Sequence, residues 1–205
     1  MAASLIHLPY FPNISHLTAV LRDEYFLLEH WDHYTKQTYR NRTKILGPNG
    51  ILNLTIPVIH SQKNRSYYRD VKIKNSENWQ VSHWRSIETS YNASPFFEFY
   101  KDDLIELYEL KFDLLYEFNL KCLEKLNTLL NLNLIWKETV EFLDQYTEAK
   151  DFRYLIKAKK EPIFNFDPYT QVFSEKHGFA TNLSILDLLF NEGPNTQNYL
   201  KQQNL

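Results

Sequence analysis

The alternation of apolar and polar positions divides the chain into a strand-rich front and a helical back. Residues 4–8 (SLIHL) form an apolar run stopped by Pro9, which predicts a short buried strand. Asn13 is a suitable N-cap for a helix over Ile14–Arg22, with Ile14, Leu17, Val20 and Leu21 on one face. Tyr25–Glu29 reads as a second strand, so the chain opens with a β-α-β unit whose strands run parallel. Asn49-Gly50 is a tight-turn signal between 42–46 and 51–58. In the second of these segments Leu52, Leu54, Ile56 and Val58 alternate with Asn53, Thr55 and Pro57, which predicts a hairpin. Residues 59–69 are polar and read as a loop, and Val71–Lys74 as a short strand.

From Trp79 the period lengthens. A helix is expected over 79–93 with Val81, Trp84, Ile87, Glu88 and Tyr91 along a face. Ser94-Pro95 offers a new cap and a first-turn proline. Phe97, Tyr100, Leu104, Leu107, Leu110, Leu114 and Phe118 then predict one long amphipathic helix, followed by another over Leu120–Leu130. Thr139–Tyr146 and Asp151–Ile156 read as short helices, and 157–168 as a loop. Ser184 and Asp187 have capping-box spacing, Leu183 and Leu188 fit a hydrophobic staple, and Gly193-Pro194 stops that helix. The expected fold class is α+β (mixed α/β). Its N-terminal part is sheet-rich, opening with the β-α-β unit and the hairpin, and its C-terminal part is mainly helical. One domain over residues 1–205 is expected, with lobes 1–75 and 76–205.

Composition narrows the function classes. A formal charge of −2 and a pI near 6.4 give no global basic excess, which argues against a general nucleic-acid binder. Aromatic residues make up 16% of the chain, enough for a compact core and for amphipathic pocket walls. The single cysteine, Cys122, lies in a helical pattern and reads as a small buried hydrophobe. No apolar run is long enough to span a membrane, and Pro9 and Pro12 interrupt the only apolar stretch near the start, so a cytoplasmic setting is expected. Walker, GxGxxG, GxSxG, HExxH and CxxC patterns are absent, and four glycines leave no glycine-rich phosphate loop.

Local clusters carry what chemistry is visible. Lys36, Arg40, Arg42 and Lys44 fall in a stretch without acids; on a strand they share one face, with Tyr34 and Thr38. They form either a solvated face or a site for an anionic group on a small ligand, with Asn41 among them. Trp84, Glu88 and Tyr91 share a helix face beside His83 and Arg85. A carboxylate between aromatics would have a raised pKa and could act as a base, or it pairs structurally with an arginine. Glu29, His30, Asp32 and His33 crowd one segment, yet no further metal ligand is evident and no metal is expected. His7, His16 and His177 read as structural, although His16 lies on the opening helix near the strand ends, where open α/β sheets bind ligands. In the tail, Asp187, Asn191 and Glu192 place polar groups one turn apart on an apolar helix. A buried Asp187 needs a donor, and a cation of the first cluster is the expected partner.

Five blocks carry a resemblance. YFPNISHL (Tyr10–Leu17), HYTKQTYRNR (His33–Arg42), LNLTIPV (Leu52–Val58), WRSIETSYNASPFFE (Trp84–Glu98) and LSILDLLFNEGP (Leu183–Pro194) are colinear, and together the chain resembles the WbqC-like proteins. That resemblance implies a bacterial protein associated with O-antigen and related surface-polysaccharide gene clusters. It also implies a transferase moving an acyl or aminoacyl group, possibly glycine, to a sugar or sugar-linked carrier. The chain departs from the family pattern in having Leu8 and His7 before Pro9, where a glutamine is usual. In the transferase reading Lys36, Arg40 and Arg42 hold a phosphate or carboxylate, Glu88 or His33 is the base, and Asp187 orients a cation. Tyr10, His16, Asn41, Trp84, Arg85, Tyr91, Asn191 and Glu192 complete the expected substrate contacts. The ligand would be a sugar phosphate, a nucleotide sugar or an acyl carrier, with the cofactor unspecified. Two alternatives stand beside it: a non-catalytic binding or assembly partner of a biosynthetic enzyme, and a nucleotidyltransferase-like enzyme.

Overall fold

A computed structural model describes residues 3–59, 66–159 and 161–205. Part of the expected polar loop, residues 60–65, lies outside the described residues. In chain order the elements are β1 (Ala3–His7), α1 (Ile14–Val20), β2 (Phe26–Glu29), β3 (Arg42–Gly47), β4 (Gly50–Thr55), α2 (Trp79–Tyr91), α3 (Phe97–Glu109), α4 (Leu115–Leu129), β5 (Trp136–Glu138), β6 (Ala149–Asp151), α5 (Ser174–His177), α6 (Ile185–Glu192) and α7 (Thr196–Gln202). The mixed class and the helical C-terminal half follow the pattern in the sequence.

Four strands make a parallel sheet in the order β5-β2-β1-β6. β1 pairs with β2 from Ser4–Phe26 to His7–Glu29, and with β6 from Ala3–Ala149 to Leu5–Asp151. Every residue of β1 is buried, as a central parallel strand covered on both faces requires. The expected β-α-β opening is therefore present. The hairpin is present too: β3 and β4 pair from Arg42–Thr55 to Gly47–Gly50 as a separate antiparallel ribbon.

Residues 131–156 differ from expectation. No helix forms over 139–146 and Arg153–Ile156 forms only one 3-10 turn, while β5 and β6, on either side of 139–146, join the sheet where no strand was expected. These strands are three residues long and mostly exposed, so they have no room for a period. The long helix through Phe118 is broken instead into α3 and α4. Leu110 turns extended, and the connector pairs with 71–73: Ile73 N donates to Asp113 O and Leu115 N to Val71 O. Those pairings leave Lys72 and Ile73 as isolated bridges to Leu114 and Val58 rather than as a strand.

α6 is apolar almost all round and is buried from Ile185 to Asn191, the signature of a core helix. Its start is tied to the start of α1: Ile14 N donates to Leu183 O and Ile185 N to Pro12 O. Ser184 caps it by accepting from Leu186 N, while the Asp187 carboxylate turns elsewhere, so the reciprocal capping box does not form. Gly193 ends α6 at φ +51°, where a Cβ would lie 2.5 Å from the Phe96 ring. Gly193→Ala should therefore cost about 3 kcal/mol, from left-handed strain plus overpacking. A urea midpoint shifted by less than a third of that amount would show that the Phe96 ring yields easily.

Candidate functional site

Parallel α/β sheets bind ligands outside the carboxyl ends of their strands, where neighbouring connections diverge. Here that point lies between β1 and β6, because the chain passes from β1 to β2 on one side and returns to β6 on the other. A cleft of roughly 430 Å³ opens there, lined by His7 at the end of β1, Asp151 at the end of β6, and Asp32, Arg40, Arg153 and Lys157. Thr35, Thr38, Phe142 and Tyr154 line the cleft as well.

Its floor is a hydrogen-bonded trio. Arg40 Nη2 donates to Asp32 Oδ2 at 2.7 Å, and His7 Nε2 lies 3.2 Å from the same oxygen. Arg40 is only 1% exposed, whereas Asp32 keeps 29% of its side chain open to the cleft. His7 Nδ1 faces the Glu29 carbonyl at 3.2 Å, and Arg40 Nη2 lies 3.1 and 3.0 Å from the two ring nitrogens. Burial, reinforced by the Arg40 charge, lowers the His7 pKa to about 4, so the ring is neutral at pH 7. Burial pushes the Asp32 carboxyl upward, but the His7 hydrogen bond and the Arg40 charge outweigh it and hold the carboxyl well below the usual range. The neutral ring carries one N–H, given either by Nε2 to Asp32 or by Nδ1 to the Glu29 carbonyl, and its other nitrogen is left to accept from Arg40. The Arg40 guanidinium also lies over the Tyr68 ring, 5.2 Å from its centroid.

The other cations differ in availability. Arg153 is bonded to Asp151 by Nε at 3.0 Å and Nη2 at 2.7 Å, so its charge is matched. Lys157 is exposed, and among the described residues its amine has no carboxylate partner. Glu29 lies behind Arg153 with its carboxylate fully buried, Oε1 accepting from Trp31 N and Oε2 4.0 Å from Arg153 Nη1. Burial raises the Glu29 pKa.

The sequence-picked residues scatter. Arg40 alone of the cation cluster reaches this cleft, because 33–41 is irregular chain and not one strand face. Lys36, Asn41 and Arg42 line a second hollow beside Pro57 and Lys74, and Asn41 Nδ2 donates to Ile56 O. Lys44 is bound to Glu161 at 2.6 Å. His33 is exposed and stacked on Tyr67 at 4.9 Å. Glu88 and Arg85 are exposed on the solvent side of α2, so Glu88 is not enclosed between aromatic rings. The buried face of α2 is Trp79, His83, Ile87, Ser90 and Tyr91, one step round from the expected stripe. Trp84 stacks on Phe97 at 6.1 Å.

Tyr10 and His83 belong to a core network, the hydroxyl lying 3.0 Å from His83 Nδ1 and 2.6 Å from the Tyr108 hydroxyl. Asp187 is paired with no cation. Its carboxylate accepts from Tyr91 at 2.9 Å, Tyr169 at 2.7 Å and Gln171 at 3.0 Å. Burial among these neutral donors pushes its pKa up to about 6. Asn191 donates to the Asp187 carbonyl, and Glu192 accepts from Asn195. His16 is 1% exposed, has no partner at either ring nitrogen, and meets Tyr39 edge-on at 6.0 Å. Among the described residues no group of three or more His, Cys, Asp or Glu is arranged to hold a metal.

His7, Arg153 and Lys157 escaped the sequence reading as site residues, and Asp32 entered it only in the segment weighed for a metal. They are far apart in the chain, and the only hint was that His7 and Glu29 end the two opening strands.

Residues 9–161 match the model of the WbqC-like protein family. A Mycobacterium tuberculosis protein, the uncharacterized Rv1507c, is 24% identical, the alignment covering 87% of this chain and 88% of that protein. No solved structure matches the chain.

Proposed function

The chain belongs to the WbqC-like protein family, and from that premise we propose that it is a group transferase whose substrates meet in the cleft between β1 and β6. The group moved is acyl or aminoacyl, and the acceptor is an amine or hydroxyl of a sugar or sugar-linked carrier in surface-polysaccharide synthesis. One observation supports this reading above the others: the His7–Asp32–Arg40 trio forms the floor of a cleft that also presents Lys157, whose amine meets no carboxylate among the described residues. Lys157 and the remaining Arg40 donors hold an anionic group of the donor. The open oxygen of Asp32 accepts a hydrogen bond from the nucleophile and orients it. As the nucleophile loses its proton, Asp32 relays it to His7 Nε2, free in the tautomer whose Nδ1–H meets the Glu29 carbonyl, and the imidazolium returns it through Asp32 to the leaving group. Glu88, His33 and Asp187 have no part in this cleft.

The test pairs binding with turnover. Sugar phosphates, nucleotide sugars and coenzyme A should raise the melting temperature of the wild-type protein, since ligand at a hundredfold excess over Kd adds about 2.7 kcal/mol. Lys157→Ala, at an exposed position, should weaken that ligand about tenfold without changing the urea midpoint of the free protein. His7→Asn should slow transfer about 10²- to 10⁴-fold, the usual contribution of a positioned acid–base group. Full binding in Lys157→Ala and full turnover in His7→Asn would move the site elsewhere.

A second reading, a binding or assembly partner, is supported by Val140, Phe142 and Leu143, which are 84%, 41% and 42% exposed in one loop. It predicts co-purification with a biosynthetic enzyme that Val140→Glu disrupts.

A further inference from the structure

The loop 139–148 carries exposed apolar side chains, yet it is held firmly at the cleft. Arg153, only 10% exposed, does the holding. Its Nη1 donates to Leu143 O at 2.8 Å and its Nη2 to Asp144 O at 2.9 Å, while Nε and Nη2 bind Asp151 at the end of β6. The guanidinium also lies over the Phe142 ring at 5.2 Å and the Tyr146 ring at 5.5 Å. One arginine thus ties the loop to the sheet and leaves Phe142 in the cleft, 41% exposed. Tyr154, on the turn after β6, lines the same cleft and is 44% exposed.

An immobilised, exposed aromatic surface costs hydrophobic free energy in water unless a ligand covers it. The same cleft carries polar groups: Thr35, Thr38, Asp32 and Arg40, with Lys157 paired to Thr38 by a β-bridge. A ligand that satisfies both sets of groups carries a flat ring and an anion. The sheet agrees with this. Counted along the chain, its strands stand third, second, first, fourth, the order in which dinucleotide-binding sheets begin, and the cleft lies over its reversal point.

We infer that Phe142 and Tyr154 form a base-stacking wall, and that the cleft takes a nucleoside diphosphate, the base on the aromatics and the phosphates on Lys157 and Arg40. This rests on the proposed cleft and narrows its ligand to the handle shared by nucleotide sugars and coenzyme A. Side chains hold the phosphates, because the chain has no glycine-rich loop to do so.

Calorimetric titration of uridine diphosphate, adenosine diphosphate, ribose 5-phosphate and pyrophosphate into the full chain tests the inference. The nucleoside diphosphates should bind at least about tenfold more tightly than the two probes that lack a base, given the usual worth of base–aromatic stacking. A Phe142→Ala/Tyr154→Ala variant, changed at exposed positions, should lose that advantage and keep its pyrophosphate affinity. Equal affinity for pyrophosphate and the nucleotides in the wild type would overturn the stacking wall and leave the anion cleft standing. An advantage that survives the double substitution would also overturn it. Binding of none of the four would remove the wall and the cleft together.

Discussion

Arg40→Ala should destabilise the protein by about 3 kcal/mol, as expected when one partner of a buried ion pair is removed. The substitution strips Asp32 of its 2.7 Å donor, removes the cation over Tyr68 and leaves a hole beside His7. Asp32 is 29% exposed and regains some water, which keeps the cost at the lower end. The same change should raise the His7 pKa, because the Arg40 charge is one of the two causes lowering it. Histidine Cε1 shifts followed by NMR through a pH titration would report this directly. Urea denaturation of Arg40→Ala, Asp32→Ala and the double variant should give a coupling energy above about 1 kcal/mol. Additive losses, or an unmoved His7 titration, would mean that the trio is a set of neighbours and not a coupled unit.

Acid should unfold this protein early, and histidines should be the reason. Burial lowers His7 and His83 to about 4 and His16 to about 3. In the unfolded chain each titrates at about 6.5, so between that value and the folded one the unfolded state binds more protons and stability falls as the pH falls. Asp187 opposes this. Its folded pKa of about 6 is raised, so its contribution is fully present below the unfolded value and is lost as the pH rises through 6. Near pH 5 the three histidines favour the unfolded state by nearly three protons and Asp187 returns almost one. The net of about two protons corresponds to roughly 2.7 kcal/mol per pH unit. About 5 kcal/mol should therefore disappear between pH 6 and pH 4, a large share of the stability usual for a domain. His16→Leu isolates one contributor. It removes two unpartnered ring nitrogens, should stabilise the protein at pH 7 by about 1 kcal/mol, and should cut the acid slope by about one proton. An unchanged slope in His16→Leu would show that His16 is already hydrated or charged in the folded state.

The sequence by itself determined the opening β-α-β unit, the hairpin, the helical back half and the family. Each is written in local chemistry: Pro9 and Asn13 bracket the first turn, Asn49-Gly50 makes the hairpin, and Ser184 and Gly193 bound the core helix. Such signals act within a few residues, which is the range over which a turn or a cap is decided. What only the tertiary structure decided is everything that needs two distant segments to meet. β5 and β6 are too short to show a period, and they exist as strands because β2 and β1 offer unpaired edges. The helix break at 110–114 follows from pairing with 71–73. The cation cluster looked like one face, but irregular chain sends Arg40 inward and Lys36 outward. Asp187 found Tyr91, Tyr169 and Gln171 in place of a cation, because those hydroxyls and that amide were what packing brought to it. The candidate cleft lies where His7, Asp32 and Arg40 from the front of the chain meet Arg153 and Lys157 from beyond the helices. The carboxyl ends of parallel strands lie along one edge of the sheet whatever the strands' spacing in the chain, so that meeting is set by sheet order, which no local pattern records.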